Sequence, residues 1–151
     1  INGVALEILY PKKDFLDKRK KEKWRDTNNN SLVVKADFGK YSFLLTGDIM
    51  KRAERELVSM VGENLHSTVL IAPHHGSKFS SSRLFLDKVN PEHIIISSGW
   101  KNRFHFPHPS VLKRYDELDC KIFRTDINGA ITMTTDGQSL EIIPYITGSE
   151  L

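Results

Sequence analysis

Two apolar runs in this chain stop abruptly at polar side chains, and that pattern limits the fold more than any other feature. The first is Phe43-Leu-Leu-Thr-Gly-Asp48; the second is Val69-Leu-Ile-Ala-Pro-His-His-Gly-Ser77. A short continuous apolar run bounded by turn residues reads as a strand buried on both faces. Such strands belong to α/β sheets, where functional groups sit at the carboxyl edge. Helical sequence lies between the two runs. Two strand ends of one sheet can therefore bring the Asp48 carboxylate together with an imidazole of His74 or His75.

The rest of the chain fits this frame. Val4 to Tyr10 alternates as a strand, with Leu6, Ile8 and Tyr10 assigned to one face, and Pro11 ends it. Lys12 to Arg25 is dense in positive charge and reads as a solvated, mobile loop; a phosphate-contacting arm with Phe15 and Trp24 stacking on bases is the sharper alternative. Ser31–Asp37 and Lys40–Thr46 form a predicted hairpin turning at Phe38 and Gly39. Ile49–Val61 is a predicted amphipathic helix stopped by Gly62, and Asp48 is placed to be either its N-cap or a metal ligand. Ser80–Val89 is a second predicted helix, capped by Ser80 or Ser81, with Leu84, Phe85 and Val89 buried. A strand over Pro91–Ser98 follows, and then a helix from Pro109 to about Leu118 with Leu112 and Tyr115 inward. Strands over Lys121–Arg124, Ala130–Thr135 and Leu140–Ile143 complete the chain, with Asn128-Gly129 and Asp136-Gly137 as turns.

Composition sets outer limits. The 151 residues suit one domain, covering positions 1–151, and the net charge of +3 favours an anionic partner only weakly. A single cysteine, Cys120, excludes an internal disulfide and a cysteine-rich zinc site. Ile1 is not a start methionine, so the chain reads as part of something longer.

Chemistry concentrates in two loops. In the His74-His75-Gly76-Ser77 loop, neutral imidazole is the commonest metal ligand. Adjacent side chains of extended chain point apart, so one histidine should face the site and the other support it or touch substrate. The Gly99–Pro109 loop is rich in histidine, aromatics and base. Asn102, Arg103, His105 and His108 are its candidates for gripping an anion.

The order Asn28-Asn-Asn-Ser-Leu-Val33, Phe43–Asp48, Ala72-Pro-His-His-Gly-Ser-Lys78, Asn102-Arg103 with Pro107-His-Pro109, and Arg124-Thr-Asp-Ile-Asn-Gly-Ala130 is specific when taken together. It resembles the carboxy-terminal half of the metallo-β-lactamase-like domain of the ComEC competence family, from about Asn28 onward. The resemblance implies an αββα sandwich of class α/β, here its carboxy-terminal half: a mixed sheet with helices on the outer face. It implies one or two divalent metal ions, Mn²⁺ or Zn²⁺, with Asp48, His74 and His75 as candidate ligands. His74 is preferred because it leaves its strand first. Asp48, His74 and His108 are the catalytic candidates; Ser77, Asn102, Arg103, His105 and His108 are the candidate substrate contacts.

The resemblance also implies partners and place. DNA is the expected substrate, and the remainder of the polypeptide is a membrane channel. The domain faces the outer side of the bacterial membrane and degrades the strand that is not imported. This sequence departs from the family pattern in lacking the amino-terminal His/Asp cluster; its first histidine is His66. A hydrolytic site needs about three protein ligands plus an open position. The chain alone is therefore expected to be inactive, to bind little or no metal, and to self-associate through an uncovered sheet face. A phosphodiesterase for another substrate and a non-catalytic DNA-guiding module are the alternative readings.

Overall fold

Val69–Ile71 is only three residues long and His93–Ile96 only four, yet both are strands, because each lies inside a six-stranded sheet and pairs on both edges. The computed structural model describes residues 2–24 and 27–147. Arg25 and Asp26, at the end of the basic stretch, lie outside the described residues. Strand β1 (Ala5–Tyr10) is followed by helix α1 (Phe15–Lys21), then by β2 (Val33–Phe38) and β3 (Tyr41–Leu45), which close an antiparallel meander. From β3 onward the chain repeats strand and helix: α2 (Lys51–Val61), β4 (Val69–Ile71), α3 (Arg83–Val89), β5 (His93–Ile96), α4 (Pro109–Asp116) and β6 (Lys121–Arg124). β3 to β6 pair in parallel, giving the sheet order β1-β2-β3-β4-β5-β6. One turn of helix, α5 (Thr125–Asn128), leads into a separate hairpin of β7 (Ile131–Thr135) and β8 (Leu140–Pro144). The architecture is α/β, with a mixed sheet.

The two faces of the sheet meet different surroundings. Leu44, Leu70 and Ile94 are cross-strand neighbours in one row. They pack with Ala53 and Leu57 of α2, Phe85, Leu86 and Val89 of α3, and Val111 and Tyr115 of α4 in one buried cluster. Burying a large aliphatic or aromatic side chain is worth roughly 1.5–3 kcal/mol, so this layer carries most of the stabilisation. On the opposite face, Leu6, Ile8, Val34, Leu45, Ile71, Ile95 and Phe123 align through the register. The β7–β8 hairpin starts at the end of β6 and reaches the β2–β3 turn. There the Lys40 N–H donates to the Gly137 carbonyl at 2.8 Å and the Tyr41 hydroxyl to that of Gln138 at 3.2 Å. A Cβ on Gly39 would lie 2.1 Å from the Gly137 oxygen, so only glycine closes this contact. Ile95 is buried, whereas Leu6 and Ile8 are 64% and 65% exposed.

Several sequence expectations change. The register shifts between Ile8 and Tyr10, which turns Leu9 and Tyr10 into the core, so Tyr10 does not share a face with Leu6 and Ile8. The basic stretch is not a loop throughout, since Phe15–Lys21 is helical. Trp24 packs against the core, and its carbonyl accepts from Asn29 Nδ2. In α3 the buried residues are Phe85, Leu86 and Val89, while Leu84 is exposed.

Neither Ser80 nor Ser81 caps α3. That end is held by Glu54 of α2, which is fully buried and accepts the Ser81 and Ser82 N–H groups on its two carboxylate oxygens. Arg114 of α4 donates to the Ser80 and Ser81 carbonyls, and the Tyr115 hydroxyl meets Ser81 Oγ. Three helices are joined at one point. Burial, the largest influence, raises the Glu54 carboxyl above its ordinary 4.5, against the two N–H bonds and Arg114 that pull it down. Its folded state thus holds a proton to higher pH than the unfolded chain. The stability from this group is greatest below about pH 4.5 and declines as pH rises through the raised value. Glu54→Gln is expected to flatten that decline in urea unfolding measured across pH. Glu54→Ala, which leaves two buried N–H groups without an acceptor, should cost about 2 kcal/mol or more at neutral pH.

Candidate functional site

Because β3, β4, β5 and β6 are parallel, the loops that follow them all leave one edge of the sheet. After β3, the buried Thr46 donates its hydroxyl to the Ile71 carbonyl at 2.7 Å, stitching the ends of β3 and β4. Gly47 turns the chain with φ +54, and a Cβ there would lie 2.7 Å from Ser31 Cβ. Asp48 follows, its N–H donated to Ser31 Oγ at 3.0 Å. The residue at the N-cap of α2 is Met50, so the capping role open to Asp48 is not the one it takes. Its carboxylate is partly exposed.

The His74-His75 loop is not extended. Both residues are left-handed, with φ of 51 and 56. Left-handed backbone in a non-glycine residue costs on the order of 1–3 kcal/mol and persists only where surroundings enforce it. Here the His74 N–H donates to the Gly47 carbonyl at 3.0 Å, and Ser77 N–H to the His74 carbonyl at 2.9 Å. The Gly76 carbonyl accepts from His108 N–H at 2.9 Å.

This geometry puts His75 beside Asp48, with Nε2 3.5 Å from Oδ1. His75 Nδ1 lies 2.8 Å from the Ser97 carbonyl oxygen. A carbonyl only accepts, so Nδ1 donates to Ser97, and Nε2 is the nitrogen that faces Asp48. Metal-ligating histidines are oriented by this kind of outer contact. His74 turns elsewhere: its Nε2 is 3.4 Å from Asn28 Nδ2, its ring meets Phe106 edge-on at 5.7 Å, and its buried Nδ1 has no hydrogen-bond partner among the described residues. His74 is preferred in the sequence as the first to leave its strand, but the left-handed turn brings His75, not His74, beside Asp48.

The other candidates take defined places. Ser77 is buried, and its hydroxyl accepts from Phe79 N–H at 3.4 Å. Asn102 is spent on its own loop, donating to the Gly99 and Phe106 carbonyls and accepting from Phe106 N–H. Arg103 lies over the Phe104 ring at 4.7 Å. His105 is exposed, with φ +54. His108 caps α4, accepting Ser110 N–H on Nδ1 at 3.2 Å. Among the described residues no three His, Cys, Asp or Glu side chains come together to hold a metal. Asp48 and His75 fit a divalent cation as two donors of a larger set.

Sequence reasoning assigned no role to Asn28, Ser31 or Asp126. Asp126, after β6, accepts from Ser98 Oγ at 3.0 Å and from Arg124 at 2.6 Å, and so ties the ends of β5 and β6. Although partial burial works the other way, these bonds hold its carboxyl below the ordinary 3.8. The signal was available: Ser97-Ser98 and Thr125-Asp126 also sit at carboxyl ends of parallel strands. A pocket of about 250 Å³ opens beside His75, lined by Ser97, Ser98, Gly99, Asn102, Phe104 and Phe106.

Several known proteins are similar to this chain in sequence. Competence protein ComA of Neisseria gonorrhoeae is 38% identical over 130 residues, 86% of this chain and 18% of that protein. ComE operon protein 3 of Bacillus subtilis is 41% identical over 104 residues, 69% of this chain and 13% of that protein. The chain is related to the ComEC-type competence proteins. Recombination protein 2 of Haemophilus influenzae adds 37% identity over 118 residues, 78% of this chain and 15% of that protein. No family model matches the sequence. The chain thus spans 13 to 18% of the length of these three ComEC-type relatives. Among the described residues no helix is long and apolar enough to cross a membrane.

Gly76 provides a test of the site's frame. It has φ +78, and a Cβ there would lie 2.6 Å from Pro107 Cβ and 3.1 Å from Pro107 Cα. Gly76→Ala should force the His74-His75 loop away from the Pro107-His108 segment. A loss of about 1 kcal/mol or more is expected in thermal unfolding, with shifted amide resonances for His75 and His108.

Proposed function

We propose that this chain is the carboxy-terminal part of a metallo-β-lactamase-like hydrolytic domain of a bacterial DNA-uptake protein, and that the domain cleaves DNA phosphodiesters. The observation that carries this reading is the Asp48–His75 pair at 3.5 Å, with the His75 ring held by its Nδ1 bond to the Ser97 carbonyl. In this reading Asp48 and His75 hold a divalent cation, and the remaining donors come from sequence beyond this chain. When bound, such a cation supplies Lewis acidity and activates water near neutral pH. One carboxylate and one imidazole suit Zn²⁺ and Mn²⁺ alike.

The chain's own residues do the positioning. Ser97 orients His75, Ser31 anchors the Asp48 backbone, and Thr46 fixes the two strand ends against each other. Arg103 sits on the loop bordering the site and offers charge to a phosphate, while His108 holds the start of α4. The channel part of the same polypeptide is the proposed membrane partner, with this domain on the outer face, acting on the strand that is not imported. The exposed Leu6, Ile8 and Leu45 belong to the sheet face that the rest of the domain would cover. In the isolated chain the same face would drive self-association.

In the full-length protein, Asp48→Ala and His75→Ala are each expected to slow cleavage of labelled DNA by about a hundred-fold or more, as removing a chelating side chain forfeits several kcal/mol of charge stabilisation. Chelation should abolish cleavage, and added Mn²⁺ or Zn²⁺ should restore it. An Asp48→Ala protein cutting at the parent's rate would refute the assignment. Elemental analysis of the isolated chain should find well under one metal per molecule.

A further inference from the structure

The β5–β6 ladder closes with Ile96 opposite Arg124, so Ser97 and Ser98 lie beyond it. Ser97 is exposed and Ser98 half-buried, and neither belongs to the apolar core. A peptide in such a place is free to swing about its flanking bonds unless side chains hold it. This one carries the carbonyl that His75 depends on. The His75 ring is half exposed, and among the described residues its polar contacts are the Ser97 carbonyl, 2.8 Å from Nδ1, and Asp48, 3.5 Å from Nε2. What fixes the Ser97–Ser98 peptide therefore fixes the ring.

Thr125, the first residue after β6, takes over where the ladder stops. The Ser98 N–H donates to Thr125 Oγ1 at 2.8 Å, and the same hydroxyl donates to the Ser98 carbonyl at 2.8 Å. The Ser98 N–H and the Ser97 carbonyl belong to one planar trans peptide and point in opposite directions. A bond on one side thus aims the group on the other. Thr125 Oγ1, this peptide and His75 Nδ1 form a single line of hydrogen bonds, in which each polarises the next. A second arm holds the Ser98 side chain. Its hydroxyl donates to Asp126 Oδ1 at 3.0 Å, and Arg124 grips that carboxylate with both Nε and a terminal nitrogen, at 3.1 and 2.6 Å. The Arg124 and Asp126 side chains are only 25% and 12% exposed. Withdrawing such a pair from water costs much of what its attraction returns, so it is weak as a stabiliser. Its bonds go instead to fixing the residue whose peptide meets His75.

We propose that Thr125 is a positioning residue for His75, acting through the Ser97–Ser98 peptide, and that the Arg124–Asp126 pair keeps that peptide seated. The consequence for cation binding rests on the function proposed above; the orientation of the ring does not. A neutral imidazole can carry its proton on either nitrogen. The clamp favours the form with the proton on Nδ1, which leaves Nε2, the nitrogen facing Asp48, open to a cation.

The test is nitrogen NMR of the folded chain, with its histidines labelled, chelator present, and the pH at about 8.5, where an ordinary imidazole is neutral. The shifts of the two His75 ring nitrogens report the ratio of Nδ1–H to Nε2–H forms. Thr125→Val, which removes the hydroxyl, should lower that ratio about five-fold, the change that losing one hydrogen bond brings. Thr125→Ser, which keeps the hydroxyl, should restore it. Ser98→Ala frees only the Asp126 arm and should lower the ratio about two-fold, giving a milder variant should Thr125→Val fail to fold. Val89→Ala weakens the core of α3 away from this edge and should leave the ratio unmoved. Two results would overturn the proposal: a ratio unchanged in both Thr125→Val and Ser98→Ala, or one that falls as far in Val89→Ala as in Thr125→Val. The ring is read without metal or DNA, so failure here strikes the clamp alone. Undiminished DNA cleavage by the full-length His75→Ala protein would strike the hydrolase reading alone.

Discussion

The parallel pairing of β3 with β4 is the constraint on which the rest depends. Phe43, Leu44 and Leu45 pair with Val69, Leu70 and Ile71, and the Thr46 hydroxyl closes the end of that ladder on the Ile71 carbonyl. A strand has a side-chain period of two, so a slip of one residue would turn Leu44 or Leu70 out of the helix-covered face. The same slip would carry Asp48 along the edge by about 3.3 Å, comparable to its whole separation from His75. Core burial and site geometry are fixed by one register. The apolar cluster beneath the helices therefore sets the position of a carboxylate that lies outside it.

The loops at that edge store strain. His74 and His75 are both left-handed, which neither residue favours, and the cost is met by backbone bonds to Gly47 and between Ser77 and His74. Gly76 fits against Pro107 where no side chain could. Through these contacts the β4 loop reads the positions of both the β3 loop and the long loop before α4. The strain is concentrated at the end of parallel strands, next to the imidazole held by the Ser97 carbonyl.

Burial is uneven across the sheet. The helix side is closed by α2, α3 and α4, whose junction is the Glu54–Ser81–Arg114 knot. On the other side the tip of the β7–β8 hairpin meets the β2–β3 turn, and Leu6 and Ile8 of the edge strand are exposed. The chain covers less than a fifth of the length of these relatives, and one face of its sheet is unevenly covered.

Most strands and helices were legible in the sequence because each is a local apolar period ended by proline, glycine or a polar turn. Gly62 and the Asp136-Gly137 turn mark their boundaries as read. What escaped was long-range. The bulge that swings Tyr10 inward needs β2 as its partner, and the cap of α3 comes from Glu54, twenty-seven residues before Ser81. The sequence by itself determined that a carboxylate and two imidazoles would leave neighbouring strand ends, since apolar runs that stop at polar turns leave little other choice. Only the tertiary structure decided which imidazole meets the carboxylate. That depends on backbone dihedrals imposed by hydrogen bonds from another loop, and no property of the His-His dipeptide encodes them.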